Sequence, residues 1–174
     1  MKHLLEELEQ CDMEQAEERF GKFNTEQRFT RTYLSKHDSY SGEIAAGLEH
    51  WLNVKLFSCL YGHFEGQIEF SELVAQRYEP CAVGVGVHRD HKEFINVVGL
   101  LVIEGEGEFY TCDDRQGTNP QWIRNSPGDL ILMRGAGLFG HPYGPFHTVK
   151  NITKRRITLG LRQSQRRAAR KEAA

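Results

Sequence analysis

Apolar residues change their spacing along this chain, from helical near the N-terminus to alternating beyond residue 72. Leu4, Leu5, Leu8, Cys11, Ala16 and Phe20 recur at roughly helical intervals with glutamates between them. That pattern predicts an amphipathic helix over residues 3–20, packed on a core. Residues 28–34 alternate and predict a strand. Ser41-Gly42-Glu43 opens a second predicted helix, along which Ile44, Leu48, Trp51, Leu52 and Leu56 share a face. Trp51 and Phe57 are expected in the core.

From residue 73 the texture is that of strands. Residues 73–79, 83–89, 94–103, 108–112, 129–134 and 155–162 are short runs rich in Val, Ile, Leu and aromatics. Turn signals separate them, such as Glu-Gly-Glu-Gly at 104–107 and Ser-Pro-Gly-Asp at 126–129. Residues 113–121 read as a polar loop. Residues 135–146, with four glycines and two prolines, read as an irregular loop leading into His147. Many short strands predict a mainly β fold with N-terminal helices, and a double-sheet jelly roll manages its edges best. The expected division is an N-terminal helical region over 1–64 packed on the core as a substrate lid, a jelly-roll core over 65–163, and a basic tail over 164–174.

At 174 residues the chain is long enough for one domain with a real core. Its longest apolar run, 97–103, is too short to span a bilayer, so no membrane role is expected. Cys11, Cys59, Cys81 and Cys112 are scattered, without a C-x-x-C pair. They read as reduced thiols, and the expected location is the cytoplasm. Net charge is near zero but uneven. Residues 1–20 carry seven acids against two bases, while 151–174 carry eight bases and one acid. The basic end offers a route to nucleic acid; the acidic start is poor company for a phosphate backbone.

The chemistry starts at Val-His-Arg-Asp, 87–90. On an extended segment, side chains at i and i+2 point the same way, so His88 and Asp90 can hold adjacent positions on one metal ion. A second histidine would complete a two-histidine, one-carboxylate face, an arrangement suited to non-haem iron(II). The candidate is His147; His141, in Gly-His-Pro-Tyr, is the rival. In the last predicted strand, Arg156, Thr158, Gly160 and Arg162 share one face and Ile157, Leu159 and Leu161 the other. The apolar face must be buried, so the polar face either meets solvent or lines a cavity. In a cavity, two guanidinium forks and a hydroxyl would make a dicarboxylate receptor, with Gly160 leaving room for a ligand near the backbone.

In this order the motifs resemble the iron(II)/2-oxoglutarate-dependent oxygenases, particularly their AlkB-like branch. The matching elements are Gln-Arg-Tyr-Glu-Pro (76–80), His-x-Asp (88–90), Pro-Gly-Asp-Leu-Ile-Leu-Met (127–133), His147 and Arg-Ile-Thr-Leu-Gly-Leu-Arg (156–162). They cover residues 73–162, about half the chain. The resemblance implies a double-stranded β-helix with His88, Asp90 and His147 as catalytic iron(II) ligands. It also implies that 2-oxoglutarate chelates the iron, with Arg156 on its distal carboxylate and Arg162 near its keto-acid carboxylate. Tyr78 and Thr158 would be hydrogen-bond partners, and Gln76 stands where the branch often has a cosubstrate-binding asparagine. Asp129 belongs to a structural turn.

The activity implied by the resemblance is that of a dioxygenase, which consumes O2, releases succinate and CO2, and hydroxylates a C–H bond. With Asp90 in place, hydroxylation is expected, or N-dealkylation where the hydroxylated carbon sits on nitrogen. The expected substrate is a small molecule, an amino acid or specialised metabolite. The alternatives are an AlkB-like oxidative dealkylase acting on nucleic acid and a non-catalytic jelly roll that binds metal or ligand. Lys92 stands where AlkB-like repair enzymes often carry an acid, which weighs against the nucleic-acid reading. Tyr33 and Tyr40 are its candidate stacking residues, and His91 could contact substrate. The sequence leaves the oligomeric state open.

Overall fold

The structure is a computed structural model that describes residues 2–36, 38–55 and 67–165. Helix α1 (Lys2–Gln10) is followed by four short strands, β1 (Glu14–Gln15), β2 (Arg19–Phe20), β3 (Thr25–Arg28) and β4 (Thr30–Leu34). After α2 (Ser39–Lys55) come β5 (Glu72–Tyr78), β6 (Gly84–His88), β7 (Phe94–Glu104) and β8 (Glu108–Cys112). The last four are β9 (Gln121–Ile123), β10 (Leu130–Arg134), β11 (Phe146–Lys150) and β12 (Arg156–Ser164). The strands form two antiparallel sheets, ordered β1-β4-β5-β12-β7-β10 and β2-β3-β6-β11-β8-β9. This is the expected jelly roll.

The central strands of the first sheet, β5, β12 and β7, are buried on both faces. Leu159 and Leu161 of β12, with Leu73 and Leu101, pack against Leu4 and Leu8 of α1 and Leu52 of α2. A second cluster, with Tyr78, Val85, Phe109, Met133 and Val149, fills the space between the sheets. The alternation of β12 therefore places its apolar set under the helices and its polar set inside the roll. Arg156 and Thr158 are each 1% exposed, which rules out a solvated outer face.

Three expectations change. The helix predicted over 3–20 ends at Gln10, and β1 and β2 occupy its second half. Its apolar positions serve two different cores: Leu4 and Leu8 pack under the first sheet, whereas Ala16 joins the cluster between the sheets. The amide of Ala16 donates to the carbonyl of Phe29, so pairing overrides helical spacing. The strand predicted over 28–34 is broken at Phe29. β3 pairs with β6 in one sheet and β4 with β5 in the other, with the buried Phe29 as the corner between them. Trp51 is 46% exposed rather than in the core. Phe57, Leu56, Cys59 and most of the basic tail lie outside the described residues.

The loop over 113–121 gives way at its end to β9, which pairs with β8. Both turn signals hold. Gly105 sits at φ +78°, and a Cβ there would lie 1.9 Å from the carbonyl oxygen of Arg155. Only glycine fits that position. Among the described residues no helix is long and apolar enough to cross a membrane.

Candidate metal centre and its cavity

His88 ends β6 and His147 is the second residue of β11; the two are direct partners in the antiparallel ladder. Between His147 and Val149 the register shifts, so Val85 pairs with Val149 and His88 with His147. Three steps along β6 thus match two along β11. This bulge turns Val85 and His88 to the same side, where strict alternation would have turned Val87 inward. Gly86 lies at the bulge. Asp90 follows two residues after the strand ends.

The ligating atoms of His88, Asp90 and His147 all lie within 4.8 Å of one another. The imidazole centroids are 4.3 Å apart, and Nε2 of His147 is 3.7 Å from Oδ2 of Asp90. In each histidine Nδ1 faces a carbonyl two residues earlier, Gly86 at 2.9 Å and Pro145 at 3.2 Å. A carbonyl only accepts, so Nδ1 carries the proton and donates, leaving the Nε2 lone pair for a ligand. Phe109 stacks on His147 and Phe20 meets His88 edge-on, fixing both rings.

Burial, with the neighbouring His147, pushes His88 down to about 4. Burial opposes the Asp90 carboxylate, but His147 and Arg162 beside it outweigh that and hold its pKa below the ordinary value. At neutral pH His88 is therefore neutral and Asp90 ionised. Those are the states a metal requires.

A cavity of about 390 Å³ opens onto this trio. Gln76, Tyr78 and Arg162 line it together with His88, Asp90 and His147. Arg162 reaches Glu72 Oε1 at 3.3 Å through Nη1 and stands 3.6 Å from Asp90 Oδ1 through Nε. Gly160 makes room for that side chain itself: a Cβ there would meet the Arg162 guanidinium at 3.4 Å. Gly160 also lines the cavity, so the room expected there for a ligand is shared with the arginine.

Arg156 and Thr158 are not among the cavity-lining residues. Thr158 donates to Gln76 Oε1 at 3.3 Å, and Tyr78 stands 3.5 Å from the same oxygen. Arg156 is paired in register with Tyr78 and gives one long bond, 3.5 Å, to the carbonyl of Asn125. Its Nε and Nη2 are buried without a partner, as is Oδ1 of Asn125. Burial lowers the Arg156 pKa, with Tyr78 opposing; burial pushes the Tyr78 phenol well up, against the pull of Arg156 and Arg162.

His141, the rival ligand, lies on an exposed loop and takes no part in the trio. His91 is exposed, near Glu93. Tyr33 lines the cavity while half exposed; Tyr40 stacks on His3 instead. Glu72 was missed by sequence reasoning, although alternation along β5 puts it on the face of Gln76 and Tyr78.

No family model matches the sequence, and no curated protein matches it significantly. Solved structures do. A prolyl hydroxylase from Trichoplax adhaerens, in complex with a peptide fragment of the hypoxia inducible factor, aligns with TM-score 0.65 at 12% identity. The alignment spans 95% of this chain and 76% of that one. A Pseudomonas putida prolyl-4-hydroxylase gives 0.57 at 14%, over 80% and 70%. A 2OG-Fe(II) oxygenase family protein from Burkholderia pseudomallei gives 0.55 at 14%, over 93% and 79%. These neighbours do not single out the AlkB-like branch. At such identities the likeness is one of architecture: this chain has the jelly-roll fold of the 2-oxoglutarate/iron(II) oxygenases.

Proposed function

We propose that the chain is an iron(II)- and 2-oxoglutarate-dependent dioxygenase that hydroxylates a C–H bond of a small molecule. The observation that carries this reading is the convergence of His88, Asp90 and His147 with both Nε2 lone pairs free. Two neutral imidazoles and one carboxylate on one side of an ion is a donor set that suits iron(II) and leaves positions for a cosubstrate and dioxygen. The orphaned guanidinium of Arg156 supplies the second support. A buried, unpaired cation is costly, and a carboxylate placed between Arg156 and Tyr78 would satisfy it.

When bound, iron(II) with 2-oxoglutarate and O2 supplies oxidative decarboxylation to succinate and CO2 coupled to hydroxylation. The chain's own work is placement. His88, Asp90 and His147 would hold the metal, and the Gly86 and Pro145 carbonyls keep the histidines in the ligating tautomer. Arg156 and Tyr78 would orient the distal carboxylate of the cosubstrate, and Gln76 fixes Thr158 beside them. Arg162 would neutralise charge next to Asp90. Phe20, Phe109 and Met133 exclude water from the inner wall. The cavity volume of about 390 Å³ is that of a small-molecule site. The peptide in the Trichoplax neighbour favours a second reading, in which a peptide side chain enters the same cavity.

The test is anaerobic titration of the full chain with iron(II) and 2-oxoglutarate, watching the visible charge-transfer band. A band lost in Asp90→Ala and His147→Ala supports the assignment. Succinate release across amino acids, peptides, nucleosides and methylated oligonucleotides then names the substrate class. Wild-type protein that gives no band sinks the oxygenase reading and leaves a binding module.

A further inference from the structure

A second cavity, of about 270 Å³, adjoins the metal centre. Arg89, the residue between His88 and Asp90, lines both cavities. Thr111, in register with His147, and Phe146, its chain neighbour, line the second as well. Whatever fills it therefore lies beside the metal ligands.

Its charge is unusual. Arg89 and Arg134 both face this space, and neither has an ion-pair partner among the described residues. The Nε of each is buried without a hydrogen-bond acceptor. Arg89 lies 3.8 Å above the Phe146 ring and 5.4 Å from that of Tyr143. Stacking uses the flat face of a guanidinium and leaves its edge, with the N–H fork, for an acceptor in the plane. Asn119 and Gln121 add amide groups. The one carboxylate in the lining, Asp113, accepts a hydrogen bond from Asn119 Nδ2 at 2.8 Å. Two arginines against one carboxylate leave the cavity net positive.

Unsatisfied guanidinium donors cost free energy unless an acceptor arrives, and an oxyanion matches their fork geometry. We infer that this cavity is the substrate's anion subsite: Arg89 and Arg134 bind a carboxylate or phosphate on the substrate and so place its reacting carbon at the neighbouring metal. The inference rests on the oxygenase reading for its second half only; the anion site stands without it. It narrows the substrate to molecules with an oxyanion near the carbon to be hydroxylated. It also gives the x of His-x-Asp a role in selection, since Arg89 lines both the metal-side cavity and this one.

The test uses metal-free full-length protein titrated separately with inorganic phosphate and with acetate at constant ionic strength. The arginine Nε–H signals in nitrogen–proton spectra are the readout. Saturable shifts of the Arg89 and Arg134 signals are expected, with the dissociation constant raised about tenfold or more in Arg89→Gln and Arg134→Gln. Arg89→Lys and Arg134→Lys, which keep the charge and lose the fork, should fall between. Arg156→Gln should leave these shifts in place. Tighter binding of phosphate would point to a phosphate-bearing substrate, and of acetate to a carboxylate; either supports the site. No saturable shift, or a shift abolished by Arg156→Gln and untouched at Arg89 and Arg134, would overturn it. Because no metal is present, failure here is distinct from failure of the charge-transfer experiment.

Discussion

His88 and His147 face each other across one rung of a β-ladder, their ring centroids 4.3 Å apart. Two imidazoles so close cannot both carry a proton cheaply, and burial adds to the penalty on His88.

That arrangement makes the metal-free protein acid-sensitive in a defined window. His88 has an ordinary value of 6.5 and is lowered to about 4 in the fold. As pH falls, the unfolded chain takes up the proton first. The contribution to stability is whole above 6.5 and drains away toward pH 4, by about 3 kcal/mol in all. Asp90, also lowered, acts in the same sense further down the scale. Urea midpoints measured from pH 8 to pH 4 should fall in that window, and His88→Gln should flatten the profile. A flat wild-type profile would contradict a buried, neutral His88.

Arg156 predicts an inverted stability result. With two buried nitrogens lacking partners, it is a liability in the ligand-free chain. Arg156→Met should leave thermal stability unchanged or raise it by about 1–4 kcal/mol. The same variant should abolish stabilisation by 2-oxoglutarate, seen as a melting temperature that no longer moves with added cosubstrate.

Glu72 competes for Arg162 with any incoming carboxylate. Glu72→Gln removes the competitor and one negative charge from the cavity wall. Calorimetric titration with 2-oxoglutarate in the presence of manganese(II) should show binding tightened by about threefold to tenfold. Weaker binding would mean that Glu72 orients Arg162 rather than occupying it.

Gly105 tests the turn that sets β7 against β12. Gly105→Ala puts a Cβ at 1.9 Å from a carbonyl oxygen on a left-handed backbone. A loss of about 2 kcal/mol or more in unfolding free energy is expected, whereas an alanine at Gly47, inside α2 with nothing within 4 Å, should add about 0.5–1 kcal/mol.

Much of the β core was legible because alternation and turn chemistry are local. His88, Asp90 and His147 could be picked out since their order and side-chain chemistry are visible without coordinates. The bulge at Gly86 was not, because a one-residue offset between β6 and β11 is a property of pairing. The N-terminal helix was overextended for a related reason. Its spacing continues past Gln10, but Ala16 is claimed by the amide-to-carbonyl bond with Phe29 and by a different core. Arg89 was hidden by position: as the middle residue of His-x-Asp it reads as a spacer until the cavity behind it is seen.

Phe29 has a mechanical consequence. In a single residue the chain leaves the sheet that carries the metal trio's histidines and enters the one that carries both arginines of β12. Its ring packs against Tyr78, 5.1 Å between centroids, and so acts as a rivet between the walls. That short tether ties the two walls together at this corner. The gauge of the chamber is set by the side chains at its mouth, and changes there, rather than in the scaffold, would retune what it accepts.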